Sequence, residues 1–80
     1  MEKSLAVIAI IVEDGAPIER VNQILSDFRE YIIGRMGIPH RNGNNIISIG
    51  MEAPKEIINS LSGKLGMLQG VTSKAVFQKQ

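Results

Sequence analysis

Hydrophobic and polar positions alternate, cluster and break along the chain in a way that divides it into six segments. Ser4 to Val12 is mostly β-branched (Val7, Ile8, Ile10, Ile11, Val12), and such side chains pack well on a pleated surface. Both of its faces are apolar: Leu5, Val7, Ala9 and Ile11 on one, Ala6, Ile8, Ile10 and Val12 on the other. A strand covered on one side only should alternate with polar residues, so this pattern predicts a central strand. Glu13 to Pro17 is a loop, and Pro17 suits the first turn of a helix. Ile18, Val21, Leu25 and Phe28 then recur at helical spacing, which predicts a helix running to about Arg29.

Tyr31 to Arg41 is a second strand, broken by Gly34, Gly37 and Pro39. Those breaks belong on an edge strand or at a bulge, where a missing donor does little harm. Asn42-Gly43-Asn44 is the clearest turn signal, because Asn and Gly tolerate positive φ. It predicts a hairpin into a third strand, Asn45 to Glu52, with Ile47, Ile49 and Met51 sharing one face. Pro54 opens a second helix with Glu56 near its positive end, and Ile57, Ile58, Leu61, Leu65 and Leu68 form its apolar side. Gly66 or Gly70 ends it, and Val71 to Gln78 is the last strand.

Strand, helix, strand, strand, helix, strand is the ferredoxin-like βαββαβ arrangement, an α+β fold. Right-handed crossovers put both helices on one face of a four-stranded antiparallel sheet. The other face is left open, and one apolar side of Ser4–Val12 lies on it. An exposed apolar patch of that size marks an interaction surface, so a homodimer or a tetramer built as a dimer of dimers is expected.

Eighty residues, taken as a single domain over 1–80, bury a small core that needs a staple. There is no cysteine and a single histidine, which leaves self-association rather than disulfides or metal and implies no cofactor. The absence of cysteine fits a reducing cytoplasm. A formal net charge of +1, with Lys and Arg scattered among acids, disfavours nucleic-acid binding. The longest apolar run, Leu5 to Val12, is too short for a bilayer, and its flanks lack the features of a secretory signal.

Few residues offer chemistry. Gly63-Lys64 resembles part of a phosphate-binding loop, but Ile58 stands where that loop needs glycine and Leu65 where it needs Ser or Thr. A helix C-terminus with Lys64 near its negative end is the better reading. Arg35, His40 and Arg41 are read as solvated edge-strand charges. Glu13 and Asp14 are neighbours that point apart, so they make no general acid/base pair, and no nucleophile–base arrangement is evident. The first and third strands carry no aromatics of the kind an RNA-binding sheet of this topology displays. The loop after the first strand leads into a helix N-terminus, where backbone N–H groups can hold an anion. Asp14, Gly15, Ala16 and Pro17 are therefore the candidate ligand-binding residues.

Four stretches carry a family resemblance: Val12-Glu13-Asp14, Arg20-Val21-Asn22, Arg35-Met36-Gly37-Ile38-Pro39, and Ser62-Gly63-Lys64-Leu65-Gly66 with Gly70-Val71. Together they resemble a bacterial family of short proteins named as iron-only hydrogenase system regulators. The resemblance implies a fold related to ACT domains and to the C-terminal domain of the nickel-responsive repressor, both of which oligomerise and sense small ligands or metal. The repressor's cysteine and histidines are not matched here, so nickel sensing does not carry over, nor does its ribbon–helix–helix segment. Asp14-Gly15-Ala16-Pro17 has the ingredients of the ACT ligand loop in a different order. The implied function is a non-enzymatic, cytoplasmic regulator, in the manner of a transcriptional regulator, that senses an effector and signals to a protein partner. The alternatives are a purely structural oligomerisation module and an accessory in hydrogenase cofactor assembly.

Overall fold

The computed structural model describes residues 2–79, with the side chains of His40 and Arg41 excepted. The elements are β1 (Ser4–Val12), α1 (Ile18–Asp27), a 3₁₀ turn (Arg29–Tyr31), β2 (Ile32–Arg41), β3 (Asn44–Ala53), α2 (Lys55–Gly66) and β4 (Val71–Phe77). The sheet order is β2-β3-β1-β4, and every pairing is antiparallel. This is the expected ferredoxin-like architecture, with β1 in the interior and both helices on one face.

Helix packing settles which face of β1 is inside. Ala6, Ile8, Ile10 and Val12 are buried, together with Ile47, Ile49, Met51 and Ala53 of β3 and Val71 of β4. Val21, Ile24 and Leu25 of α1 and Ile58, Leu61 and Leu65 of α2 close over them. Each fully buried Ile or Leu side chain contributes about 1.5–3 kcal/mol. Leu5, Val7, Ala9 and Ile11 point the other way and are exposed. The stripe of α1 also differs from the expected one in a single member: Ile24 is buried, whereas Ile18 sits at the rim, 36% exposed.

Helix α1 ends at Asp27, two residues short of the expected end. Phe28 adopts φ −106°, ψ 13° and packs against the core, and its carbonyl accepts the Tyr31 N–H that forms the 3₁₀ turn. Strand β2 is an edge strand as its glycines and proline suggest, with register shifts between Ile32 and Gly34 and between Ile38 and Arg41. The β2–β3 loop has two residues, Asn42 (φ 55°) and Gly43 (φ 86°), and Arg41 pairs with Asn44 across it. Positive φ at both positions matches the twist of the flanking strands. Strand β3 is one residue longer at each end than the sequence pattern gives.

Gly66 is the last helical residue of α2, and the reversal into β4 falls at Gly70, with φ 80°. A Cβ on Gly70 would lie 3.1 Å from the Ala16 Cβ, so the turn also depends on close approach to the first loop. Gly63 has an ordinary φ inside α2, and a Cβ there would meet nothing. The two positions should therefore respond oppositely to alanine in urea unfolding. Gly63→Ala should stabilise by about 0.5–1 kcal/mol, and Gly70→Ala should destabilise by about 1–3 kcal/mol.

Candidate functional site

The loop from Glu13 to Pro17 is tied to two other turns. The Glu13 N–H donates to the Gly70 carbonyl at 2.8 Å, which fixes the loop to the α2–β4 turn. The Asp14 N–H donates to Asn44 Oδ1 at 3.0 Å, which fixes it to the β2–β3 hairpin. A Cβ on Gly43 would lie 2.8 Å from Asp14 Cγ, so the hairpin tip has no room for a side chain against this aspartate. Pro17 has φ −77° and ψ 78°, the geometry of an inverse γ-turn, and the Ile18 N–H donates back to the Ala16 carbonyl at 2.8 Å.

The four candidate residues Asp14, Gly15, Ala16 and Pro17 line one concave groove of about 430 Å³ together with Glu13, Gln69 and Gly70. Gln69 and Gly70 escaped the sequence reading. The contact between the first loop and the last turn links residues far apart in the chain, and the only local signal was the glycine itself. The backbone accounting inside the groove is specific. The N–H groups of Asp14, Ala16, Ile18, Arg20 and Val21 all donate within the fold, the last two to the Pro17 carbonyl at 3.0 and 3.1 Å. The rim instead presents the exposed carboxylates of Glu13 and Asp14, which suit an amino group better than an anion.

The remaining candidates fall into place around this loop. Lys64 lies in the last turn of α2, so Gly63-Lys64 closes a helix rather than opening one. Arg35 reaches from β2 to α1, where its Nη2 donates to Asn22 Oδ1 at 3.2 Å. The side chains of His40 and Arg41, the other two members of the cationic group, lie outside the described residues. Phe28, Tyr31 and Phe77 all pack against the core, and Lys55 Nζ sits 5.8 Å from the centre of the Phe77 ring. Among the described residues no three His, Cys, Asp or Glu side chains converge as a metal site, and no helix is long and apolar enough to cross a membrane.

Fold and groove together define a ferredoxin-like α+β protein whose sheet is covered on one face. A family profile described as "Iron-only hydrogenase system regulator, putative", the TM1266-like family, matches residues 4–75, and the chain belongs to that family. The solved structure of the uncharacterized protein TM1266 from Thermotoga maritima is 38% identical, spans 98% of this chain and 100% of its own, and superposes with a TM-score of 0.91. A formyltetrahydrofolate deformylase from Pseudomonas putida KT2440 shares the fold at a TM-score of 0.61 and 13% identity, over 90% of this chain and 28% of the enzyme. No curated protein matches the chain. The family's name is that of a regulator.

The Asn44 side chain should hold the loop in place. Asn44→Ala is expected to cost about 0.5–1.5 kcal/mol and to accelerate hydrogen exchange at the Asp14 amide, read by NMR, while exchange in the core strands scales only with global stability.

Proposed function

We propose that this chain is a non-enzymatic regulatory module that assembles as a homodimer or tetramer, binds a small-molecule effector at the Asp14–Pro17 groove, and signals to a protein partner. The observation that carries the reading is the uncovered sheet face. Leu5, Val7, Ile11, Ile33, Met36, Ile38, Ile46 and Val76 are all exposed, at 40–65%. The strand registers put them on one side: Val7 lies between Gly50 and Val76, Ile11 beside Ile46, and Ile46 beside Ile38.

The occupant favoured is a second copy. Four strands about 4.8 Å apart, with nine residues of β1 at about 3.4 Å each, make a face of roughly 590 Å². Two such faces bury roughly 1,200 Å², at the lower end of the sizes of specific, stable interfaces. Among the described side chains the strands put one acid and one base on this face, Glu52 and Lys74, whose charges cancel. Self-association would also supply the burial that so small a core lacks. The family name supports a regulatory output, and an effector groove beside the first helix gives it an input.

Sedimentation equilibrium tests the assembly. The unmodified protein should be oligomeric at micromolar concentration. Val7→Glu should weaken association by at least about a hundredfold, because a charge would be buried in an apolar contact, with the circular dichroism unchanged. A sharp monomer mass for the unmodified protein would overturn the assembly. Thermal-shift screening against amino acids, nucleotides and metals tests the effector. A stabilising ligand whose effect is lost in Asp14→Ala is expected, and no shift from any compound would leave an oligomerisation module without an input.

A further inference from the structure

Two of the stretches that carry the family resemblance, Arg20-Val21-Asn22 and Arg35-Met36-Gly37-Ile38-Pro39, take no part in the groove; Met36 and Ile38 lie on the open sheet face, but the alternate residues of the second stretch face the first. Arg35 and Gly37 of β2 pair with Ile49 and Ile47, whose side chains are buried under the helices, so Arg35 and Gly37 face the same way, toward α1. Pro39 continues that rim, and α1 supplies Ile18 and Asn22 from across the gap. The result is a cleft of about 260 Å³ between α1 and the β2–β3 end of the sheet, floored by Ile47. Small-molecule sites usually occupy about 300–1,000 Å³, so this one suits a compound smaller than a drug.

Among the described residues the cleft has one cation, Arg35, two asparagines, Asn22 and Asn45, and apolar walls from Ile18, Pro39 and Ile47. The bond from Arg35 Nη2 to Asn22 Oδ1 uses one of the five guanidinium donors. Among the described residues no acid lines the cleft, so the guanidinium meets no carboxylate there. Because Asn22 accepts through Oδ1, its Nδ2 remains a donor beside Arg35. Gly37 is the second, independent observation. Its φ is ordinary, so no turn requires glycine, and a Cβ at this position would meet nothing within 4 Å. Glycine inside a strand weakens it and often marks close approach of a ligand. Here the missing side chain is what leaves the cleft open.

We propose that this cleft binds a small carboxylate with a short aliphatic body. Its carboxylate would lie on the Arg35 guanidinium and Asn22 Nδ2, and its chain against Ile18, Pro39 and Ile47. The guanidinium fork matches carboxylate geometry in two parallel bonds, which a lysine cannot reproduce. The site is separate from the Asp14–Pro17 groove, lying on the other side of the start of α1, and it needs no second copy of the chain.

The test is an NMR titration of isotopically labelled protein with butyrate, with butanol and inorganic phosphate as comparison probes. Butyrate should give saturable shifts at the amides of Asn22, Gly37 and Ile47 in the millimolar range. Butanol should give none, and phosphate should bind more weakly because it leaves the apolar walls unused. Arg35→Gln should abolish the shifts, and Arg35→Lys should weaken binding about tenfold. Gly37→Val should also abolish binding while preserving the fold, since its side chain fills empty space and favours the strand. Butyrate shifts that centre on Gly15 and Ala16, binding by Arg35→Gln equal to the unmodified protein, phosphate binding as tight as butyrate, or no saturable shift would each overturn the proposal.

Discussion

The structure depends on one strand that is apolar on both sides and can be covered on only one by its own chain. Ile8 and Ile10 are completely buried beneath the helices, and Val12 nearly so, and β1 pairs along its length with both β3 and β4. Every other element is positioned by that strand. Helix α1 follows it after a five-residue loop, α2 packs over its inner face, and the two strands that border it come from later in the sequence, on either side of α2. Two helices are enough to cover one face of four strands. They cannot reach the other, so Leu5, Val7 and Ile11 are left against solvent by the geometry of the fold.

The same strand places the chemistry. Where β1 ends, the chain must turn into α1 within a few residues, and it does so by leaning on Gly70 and Asn44 from two other turns. That three-way contact shapes the groove around Asp14–Pro17 and also uses up most of the local N–H groups. On the opposite flank of α1, the edge strand β2 carries alternating Arg35, Gly37 and Pro39 beneath the helix. Loss of side-chain packing at Gly37 weakens the strand there, and a gap remains between helix and sheet. Both concavities therefore border the first turns of α1, one framed by backbone hydrogen bonds and carboxylates, the other by a guanidinium and apolar walls.

Most of the architecture was legible from side-chain pattern. The two-sided apolarity of Ser4–Val12 identified the central strand, and Asn42-Gly43 marked the hairpin because few other residue pairs tolerate positive φ twice. Which face of β1 lies inside was not legible, since both are equally apolar and only the packing of the two helices decides. The exchange of Ile24 for Ile18 in the α1 stripe has a similar cause. Both residues fit the helical period, and the helix's rotation against the sheet puts Ile24 under it and Ile18 at the rim. Of the groove, the contiguous segment Asp14–Pro17 could be picked out, because a strand end followed by proline is a local signal. Gln69 and Gly70 join it through a tertiary contact with no local signature. Arg35 read as a solvated charge because its partner Asn22 sits on a different element, and nothing in sequence spacing pairs a strand residue with a helix residue.

The position of β1 in the sequence has a consequence during synthesis. Of the four strands of the sheet it is made first, and its two neighbours follow only after the chain has passed the hairpin and then the second helix. At ordinary elongation speeds of about 5–20 residues per second, the interval before Val71–Phe77 emerges is on the order of several seconds. Through that interval the run from Leu5 to Val12 lacks its β4 neighbour, although α1, β3 and α2 have already been made. One edge of this apolar run therefore stays unpaired until β4 has been made, and the delay is written into the order of the strands rather than into any one residue.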